Sequence, residues 1–118
     1  MSEHDLQCTV ASMLTEMMEQ DKLFFFHPPN APRSKIAGGK LKAAGMKAGV
    51  PDCVITFPKG QTIFIELKFG RGRLSKTQEV VQAQLQRMEI PSYVVTSDNC
   101  HSCKGVVRGI ISKYLITF

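Results

Sequence analysis

The chain has 118 residues, 43% hydrophobic and 21% charged, with 15 Lys and Arg against 10 Asp and Glu. That length supports one hydrophobic core with a radius of gyration of about 13 to 14 Å and excludes a two-domain enzyme. No stretch approaches the ~20 apolar residues of a membrane span, and the N-terminus has neither a basic nor a long apolar run, so a soluble, cytoplasmic protein with no membrane partner is expected.

Residues 1 to 21 carry five of the ten acids (Glu3, Asp5, Glu16, Glu19, Asp21) and no Lys or Arg, which leaves fifteen cations against five anions in the remainder. Such a basic body points to a polyanion, nucleic acid above all, although basic balance also occurs in proteins that bind nothing acidic. The four cysteines, Cys8, Cys53, Cys100 and Cys103, are too sparse for a disulfide-stapled secreted domain, so free thiols are expected.

In chain order, Leu6, Val10, Met13, Leu14 and Met17 recur at spacings of three and four behind a potential Ser2 N-cap, which predicts an amphipathic helix over residues 3 to 20. Glu3 begins that stripe and should therefore face the body of the protein. A short strand is expected at Leu23 to Phe26, then a proline-rich loop. Residues 34 to 48 mix Ala, Lys and Gly and predict a short or broken helix displaying Lys35, Lys40, Lys42 and Lys47. The run PDCVITFPKGQTIFIELKF, residues 51 to 69, reads as a hairpin turning at Pro58, Lys59 and Gly60. Ser75 with Gln78 three positions on predicts the start of a helix whose buried side is Val81, Leu85 and Met88. A strand at 91 to 96 follows, then a last helix from Asp98 to Tyr114 interrupted by Gly105 and Gly109. Helices alternating with strands predict an α/β domain with a central mixed sheet flanked by helices.

The hairpin carries the chemistry. If Phe57 pairs with Gln61, the register places Asp52 opposite Glu66 with Cβ atoms about 5 Å apart, and period two adds Lys68 to their face. Two ionised carboxylates about 5 Å apart repel by roughly 3 kcal/mol at an effective dielectric near 20. A divalent cation offsets this, and Mg²⁺ accepts one or two protein carboxylates while using phosphate oxygens for other positions. An isolated acid-x-Lys triplet is usually a surface ion-pair cluster of little consequence. Here it lies inside the apolar run IFIELKF, where a stray acid is costly, and this favours function. Gln78 either reaches this face or serves as the reciprocal partner in a Ser75 capping box. Basic residues flank the site in sequence, Arg33, Lys35, Lys40, Lys42 and Lys47 before it and Arg71, Arg73 and Lys76 after it, suited to phosphate contacts or to a solvated face.

The succession GVPD (Gly49 to Asp52), IELK (Ile65 to Lys68) and GRLSKTQ (Gly72 to Gln78) resembles the VRR-NUC family, virus-type replication-repair nucleases of the PD-(D/E)xK superfamily. The resemblance covers residues 3 to 97 and implies a restriction-endonuclease-like fold, with residues 1–118 as a single nuclease domain. It implies Asp52 and Glu66 as metal ligands, Lys68 as the catalytic lysine, Gln78 as the motif glutamine and Glu3 as the helix acid that completes the site, with Asp5 a rival for that last role. The loop FHPPN resembles the family's His and Asn segment and implies that His27, Asn30 and Arg33 border DNA; capping or loop bracing is the structural alternative. Stand-alone members are similar to Holliday-junction resolvases, and the same domain forms the catalytic part of the Fanconi-associated nuclease. The resemblance therefore implies a Mg²⁺- or Mn²⁺-dependent, structure-specific DNA endonuclease, homodimeric, acting in DNA repair in a bacterial cell or phage-infected host.

Two other classes stand beside this reading. One is a non-catalytic DNA-binding module whose acids and lysine form a structural cluster. The other is a redox or zinc protein built on Cys100, His101 and Cys103, although a tetrahedral zinc site lacks its fourth ligand here.

Overall fold

The structure is a computed structural model that describes residues 1–28, 39, 40 and 42–115. Three helices, α1 (Glu3–Glu19), α2 (Lys76–Arg87) and α3 (Cys100–Ser112), flank a four-stranded sheet of β1 (Phe24–Phe26), β2 (Cys53–Thr56), β3 (Thr62–Phe69) and β4 (Ser92–Ser97). The strand order is β1-β2-β3-β4. β1 with β2 and β2 with β3 are antiparallel, and β3 with β4 is parallel, joined through α2. The expected mixed sheet is thus present.

The Ser2 side chain accepts the Asp5 N–H at 3.3 Å and starts α1, whose buried stripe is Leu6, Val10, Met13 and Leu14. α1 ends where Asp21 turns to a φ of +59°, a conformation that Asp tolerates better than most residues. The hairpin closes as its sequence predicts. Phe57 N–H donates to the Gln61 carbonyl at 2.8 Å, and Cys53↔Ile65 through Thr56↔Thr62 continue the register. Lys59 and Gly60, at φ +75° and +96°, supply the left-handed turn.

One face of the sheet, with Cys53, Ile55, Ile63, Ile65, Leu67 and Val95, packs against Leu6, Val10 and Leu14 of α1 and Cys103, Val107 and Ile111 of α3. α3 is a continuous helix, contrary to the expectation of breaks at Gly105 and Gly109. Burial of Cys103, Val107, Ile110 and Ile111 on its inner side outweighs the cost of two helical glycines, about 1 kcal/mol each.

The second correction concerns α2. Val81 and Leu85 are only half-buried, Met88 is 59% exposed, and the residue sealed beneath the helix is Gln82, whose carbonyl accepts the Ser92 hydroxyl. The apolar side of α2 instead borders an open groove of about 520 Å³ with Val50, Phe64 and Ile90. Of the helix expected over 34 to 48, residues 34 to 38 and 41 lie outside the described residues; Gly39, Lys40, Lys42 and Ala43 are helical, with Ala44 N–H on the Lys40 carbonyl at 3.0 Å, and a turn with Gly45 N–H on the Lys42 carbonyl follows. No described helix is long and apolar enough to cross a membrane.

Gly49 explains the first position of its motif. It has φ +80°, and a Cβ there would meet the Thr77 carbonyl oxygen at 2.6 Å and Gln78 N at 2.9 Å. The connection to β2 therefore passes against the start of α2 at backbone contact distance. Gly49→Ala is expected to destabilise by about 2 kcal/mol or more. At Gly105 a Cβ meets nothing within 4 Å, so Gly105→Ala is expected to stabilise by about 0.5 to 1 kcal/mol. Urea unfolding midpoints check both signs.

Candidate active site

β3 is the central strand and is covered on both faces, which is why its run reads as nearly continuous apolar sequence. Glu66 and Lys68 interrupt it on the face opposite the core and are only 1% and 9% exposed. β2 begins at Cys53, so Asp52 lies one residue outside the ladder. Its carboxylate continues the pairing in place of the main chain, with Oδ2 accepting the Leu67 N–H at 2.7 Å. Glu3 comes from the first turn of α1, and its Oε1 lies 3.8 Å from Lys68 Nζ. Glu3, Asp52 and Glu66 each present a carboxylate oxygen within 4.8 Å of the others. Asp5, the rival acid, turns away: its Oδ2 takes the Ser2 hydroxyl at 3.1 Å and lies 3.7 Å from the N-terminal amine.

Gln78 performs both of the tasks its position allowed. Its Oε1 accepts the Ser75 N–H at 2.9 Å, completing the capping box, while Nε2 donates to Glu66 Oε2 at 3.2 Å. The start of α2 is thereby bonded to the acid cluster.

The electrostatics are those of a crowded anionic site. Burial first, then a hydrogen bond to Asp52 and the charge of Asp52, push the Glu66 carboxyl up to about 9; Lys68 opposes the shift and Glu3 adds to it. Three hard oxygen donors converging beside one ammonium form the ligand type that Mg²⁺ and Mn²⁺ prefer. The residues present fit such an ion, and its charge would favour the ionised Glu66 carboxylate against the burial and the neighbouring charge that hold its proton.

Around this cluster, His27 follows β1, and its Nδ1 lies 2.5 Å from the Asp52 carbonyl oxygen. A carbonyl only accepts, so Nδ1 carries the proton and holds the peptide that positions Asp52. Gln7, one helical turn after Glu3, donates to Cys53 Sγ at 3.6 Å from the same side. Sequence reading missed Gln7; its spacing of four from Glu3 was the available signal. Lys40, Lys42, Lys47, Arg71, Arg73 and Lys76 are exposed, and Arg71 and Arg73 directly follow the strand that carries Glu66 and Lys68. Asn30, Arg33 and Lys35 lie outside the described residues.

Comparison with known proteins places this arrangement. The model of the VRR-NUC domain family matches residues 2–99. A solved structure described as a VRR_NUC domain protein superposes with a TM-score of 0.62 at 21% identity, covering 95% of this chain and 89% of that chain. Another, described as a VRR_NUC domain, gives 0.57 at 13% identity, covering 92% and 97%. No curated protein matches the chain. At these identities the two structures speak for the fold, and the family match spans the sheet and all five residues of the acid, lysine and glutamine cluster. The chain belongs to the VRR-NUC domain family, whose members are nuclease-type, DNA-processing domains.

Proposed function

We propose that residues 1–118 act as a single nuclease domain, a Mg²⁺- or Mn²⁺-dependent endodeoxyribonuclease with Asp52, Glu66 and Glu3 as metal ligands. The observation that carries this reading is the convergence of three carboxylates within 4.8 Å beside a lysine that is almost fully buried. A divalent cation bound there would polarise the attacking water and neutralise charge on the phosphodiester. Lys68 places its ammonium against the same cluster and steadies the negative charge that grows on phosphate oxygens in the transition state. Gln78 fixes the Glu66 carboxylate, Leu67 N–H fixes Asp52, and His27 fixes the Asp52 peptide. Attack by water is direct, with no covalent enzyme intermediate.

His27, Asn30, Arg33, Lys35, Lys40, Lys42, Lys47, Arg71, Arg73 and Lys76 form the DNA-binding set. Contacts of this kind hold the sugar-phosphate backbone without reading sequence, which suits a nuclease selecting branched or four-way junction DNA by shape. A homodimer would present two sites to opposed strands of such a junction. The uncovered groove and the exposed Val80 (64%) and Met88 (59%) support self-association through the α2 face. The compartment proposed is the cytoplasm of a bacterial cell or phage-infected host.

Cleavage assays on single-stranded, duplex, flap and four-way DNA test the activity. Lys68→Ala and Asp52→Asn are expected to lose about 100-fold or more in cleavage rate while retaining DNA binding. Absence of cation-dependent cleavage in the parent protein would leave a DNA-binding module instead.

Glu66 makes stability depend on pH. Folding raises its pKa from 4.5 to about 9, so its contribution to stability is fully present below pH 4.5 and is lost as pH rises through about 9. Metal-free protein should therefore lose thermal stability across that window, and Glu66→Gln should remove this part of the slope. At pH 9, added Mg²⁺ or Mn²⁺ should raise the Tm of the parent but not of the variant. Equal slopes and equal cation responses would refute the ligand assignment.

For the dimer, Val80→Lys with Met88→Lys should shift the sedimentation mass from two chains to one at unchanged helicity. A parent that sediments as a monomer with and without branched DNA would refute it.

A further inference from the structure

Cys100 and Cys103 take no part in the acid cluster, and α3, which carries them, lies beyond the family match. Cys100 opens α3 behind the Asn99 cap, and Cys103 follows one turn later with its N–H on the Asn99 carbonyl at 2.9 Å. Helix geometry puts their Cα atoms about 5 Å apart, within the 4.4 to 6.8 Å that a disulfide spans. Both side chains lie on the inner side of the helix, since Cys103 belongs to the core and Cys100 packs against it. Their accessibilities differ: Cys100 is partly exposed and Cys103 is fully buried. The reduced Cys100 thiol donates to Met1 Sδ at 3.4 Å, at the chain start beside the helix that bears Glu3. The other two cysteines have no such arrangement, Cys8 being exposed on α1 and Cys53 buried on β2.

We infer that Cys100 and Cys103 form a thiol–disulfide couple in which the reachable Cys100 attacks and the buried Cys103 resolves. With a small-molecule disulfide as oxidant, the Cys100 thiolate attacks one sulfur, the oxidant's S–S bond breaks, and one small thiolate leaves. As the first turn of α3 opens, the Cys103 thiolate attacks the Cys100 sulfur of the mixed disulfide and expels the second small thiolate. The two cysteine protons end on the two released thiols, so the protein loses two hydrogens and the oxidant is reduced to two thiols. Burial pushes the Cys103 thiol up, with the neighbouring Cys100 adding to the shift, and this makes resolution the slower step.

The test uses the full chain with Cys8→Ser, which removes the exposed competitor, incubated folded with oxidised glutathione, acid-quenched and alkylated. Intact mass and peptide mapping are expected to show a loss of two hydrogens, a bridge between Cys100 and Cys103, no retained glutathione, and full recovery with dithiothreitol. Added Cys103→Ala should stop at one glutathione on Cys100, and added Cys100→Ser should remain unmodified. A glutathione adduct persisting on Cys100 while Cys103 is intact, a bridge through Cys53, or thiols left unchanged at both positions would each overturn the inference. Because the parent pair is read directly, the result stands even where the buried substitution impairs folding.

Discussion

The bond from Leu67 N–H to the Asp52 carboxylate at 2.7 Å is the contact on which both sheet and site depend. β2 enters the sheet only at Cys53, so an N–H of the central strand would otherwise be left buried without a partner, at a cost of about 1 to 3 kcal/mol. A carboxylate side chain supplies the missing acceptor and turns the end of a β-ladder into the edge of an acid cluster. The preceding residues serve the same placement: Gly49 lets the chain pass against α2, Pro51 is buried, and His27 holds the Asp52 carbonyl.

Glu66 pays the electrostatic cost of this convergence. At 1% exposure, beside two other carboxylates, it holds its proton far above the ordinary carboxyl range, and only Lys68 and the Gln78 amide counter the crowding. Gln78 spends one end of its amide on the helix cap and the other on Glu66. Rotation of α2 would break the bond to Glu66, so the helix is locked to the acids by a residue that capping alone would have explained. A stability sacrifice at the acids and rigidity around them are what electrostatic preorganisation of a site requires.

The two faces of the sheet have different fates. α1 and α3 cover one with a continuous aliphatic core, while the other carries the acids and leaves Phe24, Phe26 and Val94 between 43% and 63% exposed. α2 covers this second face through Gln78 on Glu66 and Gln82 on Ser92, while its apolar positions border an open groove. An amphipathic pattern records that a face is to be covered, but not by what.

Much of the site was legible because it follows from local rules. Period two and a Pro-Lys-Gly turn set which side chains share a face, and so put Glu66 and Lys68 together opposite the core; spacing of three and four aimed Glu3 inward. Ser75 and Gln78 declared the start of α2 by capping chemistry. Tertiary packing alone decided that Glu3 meets Lys68, that His27 holds the Asp52 main chain, that Gln7 reaches Cys53, and that Gln82 rather than Met88 is sealed under α2. It also decided that α3 runs unbroken through two glycines, since burial of its inner stripe is a property of its neighbours. Backbone period and sterics act over a few residues and are written in their identity. The meeting of residues 3, 27, 52 and 66 depends on how separate elements stack, and no local pattern encodes that distance.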